Sequence, residues 1–372
     1  MIIEKEIPVP DSGQLEIRIE GDEQAAAEWL YHWGLTDGLP VVVPTRTRVD
    51  QMCEGATRYP LESLGNLAPR GGPATIQKIA INAVMAGCLP EYMPVIMAAV
   101  EAIQDPQFNL FGVQTTTHPC GIMIIVHGPI AQKLEMNSSH NCFGQGNRAN
   151  ATIGRAMRLI LQNIGGGIPA TVDKSTQGSP AKYTFCFSEN ETLSPWPSFR
   201  ESLGFTVEDS FVTVVASEGP HNINDHGSTT GDSILNTIAQ TMATVGNNNL
   251  YVGGDTFVIL GPEHARTIAD SGFSRTDVQH YLYEHARVST SRISPGKLGE
   301  LSSWGGWADK IDQWGGNIPL VREVESIRVL VAGGAGKHSS WCPTFGVTYS
   351  STRKVVLEST ICKTDTCNIS SD

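Results

Sequence analysis

Four apolar stretches, each followed by glycine, divide much of the chain into short repeating units. The stretches are rich in β-branched residues and cover residues 122–126, 212–216, 257–260 and 327–331. Continuous runs of this kind are typical of strands that are buried on both faces. A strand, a glycine turn, a polar loop and a helix together form a βα unit. The pattern therefore predicts an α/β fold of βα units with a mixed or parallel sheet.

A second pattern lies in the helices between these strands. Three predicted helices open with a small residue, a hydroxyl or acidic residue and an isoleucine, at Ile76, Ile153 and Ile234. These isoleucines lie about 80 residues apart, a period that is typical of an internal repeat. The three helices share few identical residues, so the alternative to a repeat of about 80 residues is that the pattern recurs by chance.

The pattern of elements predicts three parts of the chain. Residues 1–68 form an N-terminal hairpin and a helical segment over 22–33 that pack on the core. Residues 69–350 form the α/β core, in which the proline-rich stretch near 166–210 is an irregular insertion. Residues 351–372 form a polar tail.

Charge and composition narrow the class of protein. The chain has 372 residues, is 40% hydrophobic and carries a net charge of -12, which disfavours nucleic acid and anionic membranes as partners. The N-terminus lacks the apolar run of a signal peptide, and no apolar stretch is long enough to span a membrane. The eight cysteines contain no CxxC pair, which favours free thiols in a reducing compartment. We therefore expect a cytoplasmic enzyme that acts on a small molecule.

The loop after the second apolar stretch is the densest group of chemically useful side chains. An aspartate beside a histidine can orient the imidazole and stabilise its charged form. The glycine and hydroxyl residues that follow lead into a helix, whose amides can bind an anion. The catalytic candidates are His221, Asp225 and His226, and the substrate-binding candidates are Asn222, Asn224, Ser228 and Thr229. The alternative is a turn in which these side chains only cap the backbone.

Two further loops carry candidates. Cys142 lies just ahead of a predicted helix with Arg148 nearby, and both features lower a thiol pKa, so Cys142 is a candidate nucleophile. A buried inert thiol is the alternative. Arg148 and Asn150 are suited to binding a carboxylate or phosphate.

The glycine-rich loop after the last strand adds the other candidates. It fails the spacing of a phosphate-binding P-loop because Val331 stands where the first glycine belongs. Backbone approach at Gly334 with Lys337 as the counter-charge still suits an anion. Lys337 and His338 complete the catalytic candidates. The alternative is a tight turn with a solvated lysine.

No cofactor is identified by motif. His221, Asp225 and His226 are a candidate metal-ligand set that His118, His140 or His338 could complete, yet no HExxH spacing defines a metal. No GxGxxG follows a strand, so the chain has no nucleotide fingerprint. No GxSxG nucleophile elbow occurs either.

Four strings carry a resemblance to a known family. They are TIQKIAINAVMAGC at 75–88, NRANATIGRA at 147–156, EGPHNINDHGSTT at 218–230 and AGGAGKHS at 332–339. They resemble an uncharacterised microbial protein family of about this length, whose genes are associated with small thiol or selenol proteins that carry a UGSC motif. The resemblance implies no activity; it indicates only that these stretches are site segments.

Three hypotheses follow. The first is a lyase, hydratase or hydrolase that uses acid–base or thiol chemistry on a small anionic substrate. The second is a metal-dependent enzyme that uses the same histidines as ligands. The third is a non-catalytic ligand-binding protein or a partner of a thiol carrier; a homo-oligomer is compatible with all three. Because ligands bind at the carboxyl ends of strands, we expect His221, Asp225, Arg148 and Lys337 to line one pocket.

Overall fold

The computed structural model describes residues 19–304, 311 and 314–357. The helices are α1 (Glu23–His32), α2 (Arg46–Ala56), α3 (Ile76–Ala86), α4 (Met93–Ala102), α5 (Leu110–Thr115), α6 (Pro129–Lys133), α7 (Arg148–Asn163), α8 (Phe199–Ser202), α9 (Gly231–Met242), α10 (Asn249–Val252), α11 (Pro262–Asp270), α12 (Arg275–His285) and α13 (Pro295–Trp304). The strands are β1 (Ser63–Leu67), β2 (Gly72–Thr75), β3 (Gly121–His127), β4 (Cys186–Ser188), β5 (Phe211–Ser217), β6 (His221–Asn224), β7 (Thr256–Leu260), β8 (Arg287–Ser289), β9 (Asn317–Pro319), β10 (Ile327–Val331), β11 (His338–Cys342) and β12 (Ser351–Lys354).

Two mixed four-stranded sheets form the centre of the fold, and two strand pairs lie outside them. The first sheet has the order β12-β5-β3-β4 and the second has the order β10-β7-β11-β6. In each sheet one edge pair is parallel, β3 with β4 and β7 with β10, and the other neighbours are antiparallel. The predicted α/β class with a mixed sheet is confirmed.

The two sheets stack face to face, and helices cover their outer faces. Alternate residues of β3 face opposite sides of the sheet. Met123 and Ile125 belong to the core between the two sheets, whereas Ile122 and Ile124 belong to the core between the first sheet and the helices. The same alternation occurs in β7, where Phe257 points inward to meet the first sheet. Both faces of each central strand are therefore buried, which explains the continuous apolar runs in the sequence.

The strand order repeats, with a period that differs from the predicted one. Strands β7, β10 and β11 occupy the same places in the second sheet that β3, β4 and β5 occupy in the first, and begin about 130–140 residues later. The fourth strands are exchanged: β6 follows β5 but pairs in the second sheet, and β12 follows β11 but pairs in the first. The two segments that lead to the exchanged strands, one at the end of β5 and one after β11, meet at an antiparallel bridge between Ser217 and Thr344.

The predicted repeat of about 80 residues is not confirmed. Ile76 is the first residue of α3, but Ile153 lies in the second turn of α7, which begins at Arg148. Helices α3 and α7 pack against each other over the first sheet, whereas α9, which contains Ile234, covers the second. The three helices thus hold different places in the fold.

The structure also revises the predicted divisions of the chain. The helix predicted over 22–33 is α1, and its N-cap is Asp22, whose side chain accepts from the amide of Ala25. Strand β12 belongs to the first sheet, so the tail begins after it rather than at residue 351. The insertion near 166–210 contains β4, an integral strand of the same sheet. The N-terminal hairpin over 1–18 and the tail over 358–372 lie outside the described residues.

None of the helices in the described ranges combines the length and the apolar character needed to cross a membrane.

Candidate functional site

Strands β6 and β11 bring two of the predicted site loops side by side. Both segments are polar, and the sequence pattern placed them in loops, but they pair as antiparallel strands. In this register His338 lies opposite Asn224 and Ser340 lies opposite Asn222. Strand β6 lies at a sheet edge, where only Ile223 is buried and polar residues occupy both faces. The sequence pattern therefore does not identify it as a strand.

Two histidines form the central contact of the site. Nε2 of His226 lies 3.2 Å from Nε2 of His338, and Nδ1 of His338 lies 2.9 Å from Oδ1 of Asn222. Because an amide oxygen only accepts, Nδ1 of His338 carries the proton and its Nε2 accepts from His226 when both rings are neutral. Asn222 thereby sets the tautomer of His338.

A cavity of about 330 Å³ lies beside this pair. It is formed by the loop around Cys142, the carboxyl ends of β7 and β10, the glycine loop 333–336 and the start of β11. The lining residues among the predicted ones are Cys142, Asn222, Gly334 and His338. Loops from three parts of the chain therefore converge at the carboxyl ends of strands, as α/β architecture predicts.

The glycine loop is shaped by a close contact with the neighbouring loop. The ring of His140 packs so closely on Gly334 that an added Cβ would lie 2.2 Å from it. The amide of Gly333 donates to the carbonyl of Ser138, and its carbonyl accepts from Nδ2 of Asn190. These contacts hold the loop against the cavity, and a side chain at position 334 would displace the ring of His140.

Asp225 does not orient His226, contrary to the sequence prediction. Its carboxylate accepts from the amide and hydroxyl of Ser228 at 2.9 and 2.8 Å and from the hydroxyl of Thr237 at 2.7 Å. Burial acts to raise the pKa of Asp225, but these hydrogen bonds outweigh it and the pKa is lowered. Asp225 therefore organises the turn before α9, as the alternative interpretation held, and His338 is the partner of His226.

Two of the amides expected to bind an anion at this turn have protein acceptors. The amide of Ser228 is bound by Asp225, and the amide of Gly231 donates to Oγ of Ser271 at 2.8 Å. Thr229 is exposed beside them. The protein's own groups thus occupy the amides of Ser228 and Gly231.

A buried histidine connects the turn to the cavity wall. Nδ1 of His264 lies 2.8 Å from Oγ of Ser339, and its Nε2 lies 3.1 Å from the carbonyl oxygen of Asp225. Because a carbonyl only accepts, His264 donates from Nε2 and accepts at Nδ1 from the Ser339 hydroxyl. Ser339 in turn accepts from the amide of Gly261. Burial lowers the pKa of His264, so the chain of hydrogen bonds uses the neutral ring.

Cys142 lines the cavity, but its surroundings do not activate it. The thiol is buried, and this burial raises its pKa to about 11. Helix α7 begins six residues later, at Arg148, too far along the chain to lower the pKa as predicted. At neutral pH the group is a thiol rather than a thiolate.

Arg148 and Asn150 do not bind in the cavity. The Arg148 guanidinium donates from Nε to the carbonyl of Gly87, at the end of α3. Asn150 is buried and bonds to the backbone of Asn137 and Cys142. Asn150 therefore holds the Cys142 loop on α7, and neither side chain is placed to bind the expected anion there.

The expected convergence on one pocket is only partly met. Neither His221, Asp225, Arg148 nor Lys337 lines the cavity. Lys337 donates from Nζ to the carbonyl of His226 and so lies beside the histidine pair. His221 is exposed, opposite Trp341 in the β-ladder, and Asn224 is exposed opposite His338.

Sequence reasoning missed a second histidine centre, at the carboxyl end of β3. His127 is buried and contacts Glu189 at 3.0 Å, and Glu191 lies close enough for the three to form a candidate metal-ligand group. Both carboxylates already have cationic partners, Arg275 for Glu189 and Arg200 for Glu191. The group is therefore an ion-pair network that joins β3 and β4 to α8 and α12. A histidine at the end of an otherwise apolar strand was the available signal.

The chain matches no protein-family model, no curated protein and no solved structure. The chemistry of the site therefore rests on its own geometry.

Proposed function

We propose that the chain is an enzyme of the lyase, hydratase or hydrolase type that moves protons on a small anionic substrate in the cavity beside His338. The observation that carries the proposal is the Nε2-to-Nε2 contact of 3.2 Å between His226 and His338. Two imidazoles in such contact share one hydrogen-bonded proton, so the pair provides a route for proton transfer.

The two rings have different roles in this proposal. His338 lines the cavity and is oriented by Asn222, so it exchanges the proton with substrate. His226 is exposed and contacts the same Nε2 atom of His338, so it takes the proton from His338 when the contact forms again and returns it to solvent. The Asn222 amide keeps the His338 proton on Nδ1, so Nε2 of His338 reacts with substrate when its contact with His226 opens.

Backbone groups supply the anion binding. The amides of Gly334 and Ala335 line the cavity and donate to no acceptor within the described part of the chain. Lys337 lies two residues after Ala335 and places a positive charge near the His226 carbonyl. Free amides with a nearby cation suit a carboxylate or phosphate, and Ile259 and Ala332 support the apolar part of such a substrate.

Proton transfer can be tested before the substrate is known. Small hydroxy-, oxo- and unsaturated carboxylates are incubated with the protein in D₂O, and deuterium uptake at carbon is followed by NMR. His338→Ala and His226→Ala should each lower the exchange rate about 10²-fold or more. Cys142→Ser should retain exchange, and His280→Gln, which removes an exposed histidine of α12, is the control for folding and purification.

Two results would change the proposal. Loss of exchange in Cys142→Ser with full activity in both histidine variants would move the chemistry to the thiol. Saturable binding without exchange or product for any compound would instead indicate a ligand-binding protein.

A metal-dependent function is the second candidate, because the same distance favours it. Two ligand atoms bound to one ion at about 2.0–2.1 Å lie about 3–3.4 Å apart. The Asn222 contact to Nδ1 of His338 is also the usual outer hydrogen bond of a metal-bound histidine. The ligand set is then His226 and His338 rather than the predicted His221, Asp225 and His226. Elemental analysis of the purified protein separates the candidates: a stoichiometric metal that His338→Ala loses favours this second one.

A further inference from the structure

A second and larger cavity lies against the middle of α7. Its volume is about 470 Å³, and its walls are α7 and the segment 167–183, within the stretch predicted as an irregular insertion. It shares no lining residue with the cavity beside His338. Pro169, Ala170, Pro180 and Tyr183 supply apolar surface, and Arg158 is the basic residue that α7 contributes.

Arg158 is a buried cation whose hydrogen-bonding groups are mostly unused. The side chain is about nine-tenths buried, and its Nε donates to the carbonyl of Lys182 at 2.9 Å. Its two terminal nitrogens have no acceptor among the described residues and are not fully buried atoms, and Arg158 lines the cavity, so they are accessible to a ligand there. Burial acts against the charged form and lowers the pKa of Arg158, though an arginine remains charged at neutral pH.

The neighbouring carboxylates are already neutralised by other cations. Asp37 accepts two hydrogen bonds from Arg155, at 2.7 and 2.8 Å. Asp173 pairs with Nζ of Lys182, which also donates to Ser175. The cavity therefore contains two neutral ion pairs and one additional positive charge, that of Arg158.

We propose that this cavity binds a small organic monocarboxylate, whose carboxylate pairs with the two terminal nitrogens of Arg158. Most of the Arg158 side chain is removed from water while its terminal nitrogens have no acceptor in the described part of the chain, and an anionic ligand would supply the missing partner. The unused edge of the guanidinium is planar and offers two parallel N–H groups, which match a carboxylate. One excess positive charge matches a monoanion, whereas a phosphate dianion would lack a second free cation.

The apolar surface determines the rest of the ligand. Two prolines and Tyr183 supply apolar parts of the wall. A cavity of this size holds a ring or a short branched chain beside the carboxylate. Benzoate is therefore a suitable probe.

The test is titration of the full chain with sodium benzoate, followed by isothermal calorimetry and saturation-transfer NMR. We expect one saturable site per chain, and inorganic phosphate should bind more weakly. Arg158→Lys keeps the charge but removes the paired N–H groups, and it should weaken benzoate binding at least tenfold. Arg158→Met removes the charge, should abolish binding and should keep or raise the melting temperature, because it removes an unpaired buried cation.

A control separates this site from the proposed function. His338→Ala alters the other cavity and should bind benzoate as the unchanged protein does. Loss of benzoate binding in His338→Ala, equal binding in Arg158→Lys, or tighter binding of phosphate than of benzoate would each overturn the proposal. If Arg158→Met does not fold, Arg158→Lys alone decides, since it retains the charge and the length of the side chain.

Discussion

The buried His264 should make the stability of the protein depend on pH in a defined window. Its ring is fully buried and links Ser339 to the Asp225 carbonyl in the neutral form. Burial lowers the pKa of His264 from its ordinary value of 6.5. Below pH 6.5 the His264 ring therefore binds a proton more readily in the unfolded chain than in the folded chain. Stability is present above pH 6.5 and is lost as the pH falls toward the folded pKa.

The size of the effect follows from linkage. One group that protonates only in the unfolded state changes the free energy of unfolding by at most about 1.4 kcal/mol per pH unit. With an unfolded pKa of 6.5, lowering the pH from about 7.5 to 5.5 costs about 1.4 kcal/mol when the folded ring stays neutral. Protonation of His264 at Nδ1 would also remove the acceptor of the Ser339 hydroxyl. This lost hydrogen bond is a second reason why the folded state disfavours the protonated ring.

Urea unfolding at four pH values between 5.5 and 7.5 measures this loss. In His264→Gln the side-chain amide can still donate and accept but cannot titrate, so the pH dependence should be smaller, by up to about 1.4 kcal/mol over that range. His280→Gln removes an exposed histidine and should behave as the unchanged protein. Equal pH dependence in His264→Gln and in the unchanged protein would refute the interpretation of His264 as a buried neutral group.

Two further predictions concern the thiols and the core between the sheets. Burial raises the pKa of Cys142 to about 11. Iodoacetamide at pH 7.5 should therefore modify Cys142 at least roughly 100-fold more slowly in the folded protein than in urea, as measured by peptide mass spectrometry. Rapid labelling of the folded protein would instead show an activated thiolate. Phe257→Ala should lower the free energy of unfolding by about 3–5 kcal/mol, because the ring is fully buried between the two sheets; a loss below about 1 kcal/mol would contradict the sandwich of two sheets.

The sequence by itself determined the class of fold and most of the central strands. Runs such as 122–126 and 257–260 are apolar at every position because helices cover one side of each strand and the other sheet covers the opposite side. A pattern of that kind is local, so it can be read without knowing the partner strand. The helix predicted over 22–33 is local for the same reason, and α1 occupies Glu23–His32.

The pairing of the strands was decided only by tertiary structure. Strand β6 is exposed at three of four positions, so its sequence predicts a loop, and it becomes a strand because β11 supplies hydrogen-bonding partners. The exchange of β6 and β12 between sheets has no local signature either. Each set of four strands is completed by a strand from the other half of the chain. The spacing of about 130–140 residues between corresponding strands is therefore not visible in the sequence.

The candidate site shows the same division. The sequence identified the loops that contain His226 and His338, since polar density at strand ends is visible in the chain. It assigned Asp225 to His226 because the two are adjacent, but the backbone of a turn directs adjacent side chains apart, and the carboxylate bonds to Ser228 and Thr237. The real partner of His226 is 112 residues away. Contacts between side chains depend on register and packing, which only the folded chain determines.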